Sequence, residues 1–171
     1  MARFLALSLS VLVLFLCGCA PKDPLDRKVK ASTPEEFAHW WDRTQAKFPD
    51  AQRAEIYKLA RYLQDSIPRV RSMRADDHYD PLCKRINGLT VRQLMILAYE
   101  ESSYNIRTRV ILETGKLPHL VDAVADSADA DRRDYAQNIL TFTQERIASW
   151  KETISANERR IAELTAALPA P

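Results

Sequence analysis

The chain has 171 residues, with 25 Lys and Arg against 23 Asp and Glu and a net charge of +2. Charges so nearly balanced project no broad field of one sign, which argues against nucleic acid or a strongly acidic substrate as partner. Three glycines in the whole chain, with Ala, Leu, Arg, Glu and Gln plentiful, favour helix over sheet. The expected fold is all-α: a small antiparallel helical body with a long C-terminal amphipathic, coiled-coil-like helix.

The first twenty residues carry a pattern of their own. Arg3 is followed by an apolar run from Phe4 to Leu16, broken only by Ser8 and Ser10, and then by Leu16-Cys17-Gly18-Cys19-Ala20. A run this short reads as an export signal rather than a membrane span. Its ending resembles the lipobox of bacterial lipoproteins, with Leu16 three residues before Cys19 and the small Gly18 just before it. The resemblance implies removal of residues 1–18 and attachment of diacylglycerol and a further acyl chain, such as palmitate, to Cys19. Several chains bury enough methylenes, at about 0.8 kcal/mol each, to anchor a protein firmly. It also implies sorting by the residue after the cysteine. Ala20, in place of Asp, points to the inner leaflet of the outer membrane, facing the periplasm. Loss of Cys17 and lipidation of Cys19 leave Cys83 as the one remaining thiol, read as a buried small hydrophobe beside Leu82, with an intermolecular disulfide as the alternative.

Residues 19–31 read as a lipid-anchored flexible tether. Prolines and charges dominate, and only Leu25 and Val29 offer apolar surface. The helical body is expected over 32–126. Thr33-Pro34-Glu35-Glu36 is a helix start, with a hydroxyl cap, Pro at the first helical position and Glu where a capping box needs it. The helix is expected to run to about Lys47, with Phe37, Trp40, Trp41 and Thr44 as its apolar stripe. Pro49 breaks it, Asp50 is placed to cap the next helix, and Ile56, Leu59, Ala60, Leu63 and Ile67 mark the buried face of that helix before Pro68. The pair reads as an antiparallel hairpin. Residues 69–85 are the least regular part of the chain, a basic stretch containing His78, Asp80 and Cys83 in no recognisable metal-ligand spacing. Asn87-Gly88 forms a turn and Thr90 with Gln93 a capping box. The helix that follows has a broadly apolar surface and is expected to stop at Gly115, before Pro118, with another turn or two over 120–125.

The last segment, 127–171, reads as one long helix. From Ile147 onward the apolar residues step by threes and fours: Ile147, Trp150, Ile154, Asn157, Ile161, Leu164 and Leu168. This is a heptad-like stripe about three heptads long with one polar seam residue. It is the candidate partner-binding stripe, for self-association or for a protein partner, with folding back on the chain's own body as the equal alternative.

No phosphate loop, nucleophile elbow or zinc-protease motif occurs. His39, His78 and His119 lie in separate segments. Glu100 and Glu101, the carboxylates a peptidoglycan hydrolase would need, are adjacent on a helix and so point about 100° apart. No catalytic residue, metal site or cofactor is expected beyond the lipid on Cys19. The order of motifs resembles that of a group of small, uncharacterised helical lipoproteins of Gram-negative bacteria, carried here by Ser32, Glu35, Glu36 and Phe37, then Ile86, Asn87, Gly88 and Thr90, and finally Ile161 to Leu168. That group implies no activity. The sequence therefore leads to a membrane-anchored, non-enzymatic binding or structural component of the cell envelope. The alternative is a lipid or peptide carrier with Trp40, Trp41 and the helix over 91–112 lining its pocket.

Overall fold

The computed structural model describes residues 23–66 and 81–168. Cys19 and the signal region, Ile67, Pro68 and most of the basic stretch including His78 and Asp80 lie outside the described residues. Among the described residues the protein is all-α, with five helices: α1 (Pro34–Thr44), α2 (Asp50–Ser66), α3 (Pro81–Ile86), α4 (Val91–Asp126) and α5 (Ala130–Ala166). Two short 3₁₀ turns, Pro24–Asp26 and Gln45–Lys47, precede α1 and extend it.

Local chemistry sets the helix starts. The Thr33 hydroxyl accepts from the Glu36 amide at 3.2 Å, and Pro34 at the first helical position gives up a hydrogen bond that position could not make. The Glu36 carboxylate returns to the backbone N–H of Ser32 at 2.8 Å, one residue before the cap. Hydrogen bonds from the Ser32 side chain and backbone hold that carboxyl below its usual range. At α4 the box closes fully, with Gln93 N–H on the Thr90 hydroxyl at 3.1 Å and Thr90 N–H on the Gln93 side chain at 2.9 Å. Gly88, just before it, has φ +82°, a conformation a side chain would strain. Asp50 does not cap α2. It lies inside the first turn, where its carboxylate pairs with Arg53 at 2.7 Å.

Three expectations change. Residues 23–31 are not a tether, because Val29 is 1% exposed and Leu25 and Ala31 are also buried. This strap is stitched to the turn before α4: Val29 N–H donates to Leu89 O at 2.7 Å, Gly88 N–H to Val29 O at 3.0 Å and Val91 N–H to Arg27 O at 2.9 Å. The Asn87 side chain adds a bond from Ala31 N–H at 3.0 Å. Second, α1 and α2 do not pair along their lengths; α2 lays Ile56, Leu59 and Leu63 on α4 instead. Aromatic contacts link α1 to the residues that follow it, Trp40 with Trp41 at 6.3 Å and Trp41 with Phe48 at 6.1 Å between ring centres. Third, α4 does not stop at Gly115. It runs through Gly115 and Pro118 to Asp126. An interior proline costs about 3 kcal/mol, and the packing of α4 along α5 offsets it.

α4 and α5 form a long hairpin joined by Ser127–Asp129, with Asp129 capping α5 at 3.0 Å. At 36 and 37 residues each is about 54 Å long at 1.5 Å per residue. The main core gathers at one end of this hairpin. There Trp40, Leu63, Ile86, Leu94, Met95 and Leu164 join the strap residues in a single cluster. The other end, beyond about Val110 on α4 and before about Ile147 on α5, is a two-helix arm.

Candidate functional site

The candidate partner-binding stripe is used inside the chain. Ile147, Asn157 and Leu164 are buried, and Trp150, Ile154, Ile161 and Leu168 are half-buried. Leu164 belongs to the main core. Asn157, the polar seam residue, donates to the Ser103 hydroxyl of α4 at 3.2 Å and to Ser102 at 3.4 Å. The stripe thus folds back onto the chain's own body, one of the two readings its spacing left equal. The heptad spacing serves packing against α4.

Ion pairs fix how the helices meet. On α2, Glu55 accepts from Tyr99 of α4 at 2.7 Å and from Arg160 of α5 at 2.8 and 3.0 Å. Burial opposes the Glu55 charge, but the hydrogen bonds from Arg160 and Tyr99 outweigh it and hold its carboxyl low. Burial and the bond to Glu55 push the Tyr99 hydroxyl up to about 12. Arg160, bonded to Glu55 and Glu163, is raised. Further along the hairpin, Arg107 pairs with Glu158 at 2.5 Å and Arg146 with Glu113 at 2.6 Å. Hydrogen bonding from Lys116, with Arg146 beside it, lowers the Glu113 carboxyl. The strap has its own pin. Arg92, 3% exposed, reaches Asp23 at 2.6 Å and Asp26 at 3.0 Å. Its burial disfavours the charge, but the two aspartates outweigh burial and raise it.

Glu101 pairs with Arg85 at 3.1 Å, whereas Glu100 faces solvent, so the two carboxylates do not converge. His39 and His119 are exposed on different helices. No group of His, Cys, Asp and Glu among the described residues could hold a metal ion.

Two surface features remain. One is an open cleft of about 250 Å³ between α1, α2 and α3, lined by Phe37, Trp41, Ile56, Tyr57, Leu82 and Cys83, with Arg61 and Gln64 also in its wall. The carrier pocket expected from Trp40, Trp41 and the helix over 91–112 is therefore corrected. Trp41 lines this cleft, Trp40 sits in the core, and the opposite wall is α2 and α3 rather than α4. The other feature is the arm, where Leu112 is 63%, Tyr135 69% and Phe142 61% exposed, with Ile111 and Val121 also open to solvent. The Arg146 guanidinium lies 5.2 Å from the Phe142 ring and 5.3 Å from that of Trp150. Tyr135, Ile139 and Phe142 step by four and three in the sequence, and that spacing alone gives no sign that Tyr135 and Phe142 stay exposed instead of joining the seam. Neither a protein family, nor a curated protein, nor a solved structure matches the chain.

Proposed function

We propose that the protein is a lipid-anchored, non-enzymatic binding or structural component of the cell envelope, held by Cys19 at the inner leaflet of the outer membrane and facing the periplasm. The lipobox-like run Leu16-Cys17-Gly18-Cys19 after the apolar stretch supports the anchor. Among the described residues no helix is long and apolar enough to cross a membrane. The fold supports the binding role. The strap docks at the N-terminal end of α4, so the anchored end and the open arm lie at opposite ends of a helix about 54 Å long. The arm offers aromatic and aliphatic side chains to a partner, the kind of anchor residue that dominates binding interfaces.

Intact mass of the membrane-extracted protein tests the anchor. A mature chain beginning at Cys19 with added diacylglycerol and acyl mass is expected, and Cys19→Ala should leave an unmodified chain in the soluble fraction. An unmodified wild-type chain overturns the reading. Envelope hydrolysis lost in Glu100→Gln or Glu101→Gln would overturn its non-enzymatic half.

The cleft favours a second reading, a carrier for an apolar chain. Its volume exceeds the 150 Å³ cavity that accommodates benzene in an engineered core, and aromatic walls suit an acyl or aromatic group. Titration of the Cys19→Ala protein with a defined fatty acid should change the Trp41 fluorescence, and the change should vanish in Trp41→Phe. A flat titration rejects the carrier role.

A further inference from the structure

We infer that the arm of the α4–α5 hairpin is a homodimer interface, in which two copies pair antiparallel with Phe142 at the two-fold axis. The inference shares its surface with the proposed binding role and is independent of the lipid.

Spacing is the first argument. Asn157 meets Ser103 and Arg146 meets Glu113, which sets the register of α5 on α4. In that register Phe142 is level with about Pro118 and Tyr135 with about Ala125. Tyr135 and Phe142, seven residues apart, share one face of α5. Arg146 lies over the Phe142 ring and reaches Glu113, so this face borders the Glu113 side of α4, where Leu112 projects next to it. Along the arm axis, Tyr135 lies about 10 Å from Phe142 in one direction and Leu112 about 9 Å from it in the other, at 1.5 Å per residue. A two-fold axis at Phe142 therefore places each Tyr135 over the partner copy's Leu112 and the two Phe142 rings together. All three are more than half exposed.

Charge is the second argument. From Leu120 to Tyr135 the tip carries five aspartates against two arginines. From Tyr104 to His119 the base of the arm carries three basic side chains against one glutamate; on α5 beside it Glu145, Glu152 and Glu158 stand against Arg146 and Lys151, so the base keeps a net charge of +1 against −3 at the tip. A parallel pair would set acidic tip on acidic tip. The antiparallel pair sets each tip on the other's basic base and gives complementary fields. Pairing also gives each two-helix arm the further layer that helices need to bury an apolar face, as a four-helix bundle does. With the two-fold axis along the membrane normal, both straps face the same bilayer, so anchoring and pairing are compatible.

The test is light scattering on the full lipidated chain in mild detergent, in parallel with the Cys19→Ala chain without detergent. A dimer is expected in both, weakening as salt screens the tip and base charges. Phe142→Glu should weaken association roughly 30-fold while helical circular dichroism holds, since the side chain is exposed, and the melting temperature should fall only where the wild type is dimeric and match it at dilutions where both are monomers. Phe142→Cys should give a covalent dimer on oxidation. Tyr135→Cys and Leu112→Cys chains should crosslink when mixed and not when each is oxidised alone. A monomer at tens of micromolar, or a Tyr135→Cys chain that links to itself, overturns the inference. A monomer that instead captures another envelope protein through Phe142 also overturns it, yet leaves the envelope-binding role standing. Dimers formed by an unlipidated wild-type chain would support this inference while the anchor fails.

Discussion

Arg92 shows how one buried charge decides where the domain begins. A guanidinium taken out of water is costly to leave unpaired, and here Asp23 and Asp26 are its partners. Both aspartates keep contact with solvent, so removing the arginine costs less than breaking a fully buried pair. Arg92→Ala should destabilise the protein by about 2–3 kcal/mol, and amide hydrogen exchange over 23–31 should accelerate more than in α5. Uniform acceleration would show that Arg92 does not hold the strap in particular. The Glu55–Tyr99–Arg160 cluster makes stability depend on pH at both ends. Glu55 is depressed in the fold, so its contribution is present above the unfolded carboxylate range and fades as pH falls through the folded value. Tyr99 is raised to about 12 from 10, so its contribution is present below pH 10 and lost as pH climbs from 10 to about 12. Urea midpoints measured against pH should lose the alkaline fall in Tyr99→Phe and flatten on the acid side in Glu55→Gln. An unchanged alkaline limb in Tyr99→Phe would assign that fall to other groups. None of these pairs was legible in the sequence, because Asp23 and Arg92, or Glu55 and Arg160, are brought together only by the fold.

At the scale of elements, most local signals act where the sequence places them, Asp50 excepted, since it lies inside the first turn of α2 instead of capping it. Thr33, the Thr90–Gln93 box and the Gly88 turn each act over three or four residues, and each lies where its chemistry required. The stripe from Ile147 was legible as a periodicity, although the sequence held no sign that Ser102 and Ser103 of α4 were waiting for Asn157. Gly115 and Pro118 misled for the converse reason. They are helix breakers in isolation, and long-range packing against α5 carries the helix past them. Gly115 is exposed, has no positive φ, and a Cβ there would meet open space. Gly115→Ala should therefore stabilise the protein by about 0.5–1 kcal/mol, through helix propensity and a less flexible unfolded chain. Chemical denaturation measures this directly. A loss of stability would mean that the helix depends on the freedom of its glycine.

At the scale of the whole molecule, the strap alters what the Cys19 anchor implies. If residues up to 31 were a spacer, the body could drift some tens of ångströms from the bilayer. With the strap packed from Asp23 onward, four peptide steps separate Cys19 from the first described residue, a reach of at most about 14 Å. A lipid on Cys19, as proposed, would then hold the body close to the headgroups, with the strap nearest the bilayer. The boundary can be moved to test this. A ten-residue Gly-Ser insertion between Lys22 and Asp23 lies before the first strap contact, so it should leave the unfolding free energy within about 0.5 kcal/mol of wild type. The same insertion between Asp26 and Arg27 separates the two aspartates that hold Arg92 from the strand bonded to Leu89 and Gly88. Closing that longer loop and losing strap order should cost about 1–2 kcal/mol. Urea unfolding of the Cys19→Ala background, where lipid plays no part, gives both numbers on one scale. Equal and negligible effects would return residues 23–31 to the role of tether. A cost from the first insertion as large as from the second would place the edge of the folded domain before Asp23, closer still to the membrane.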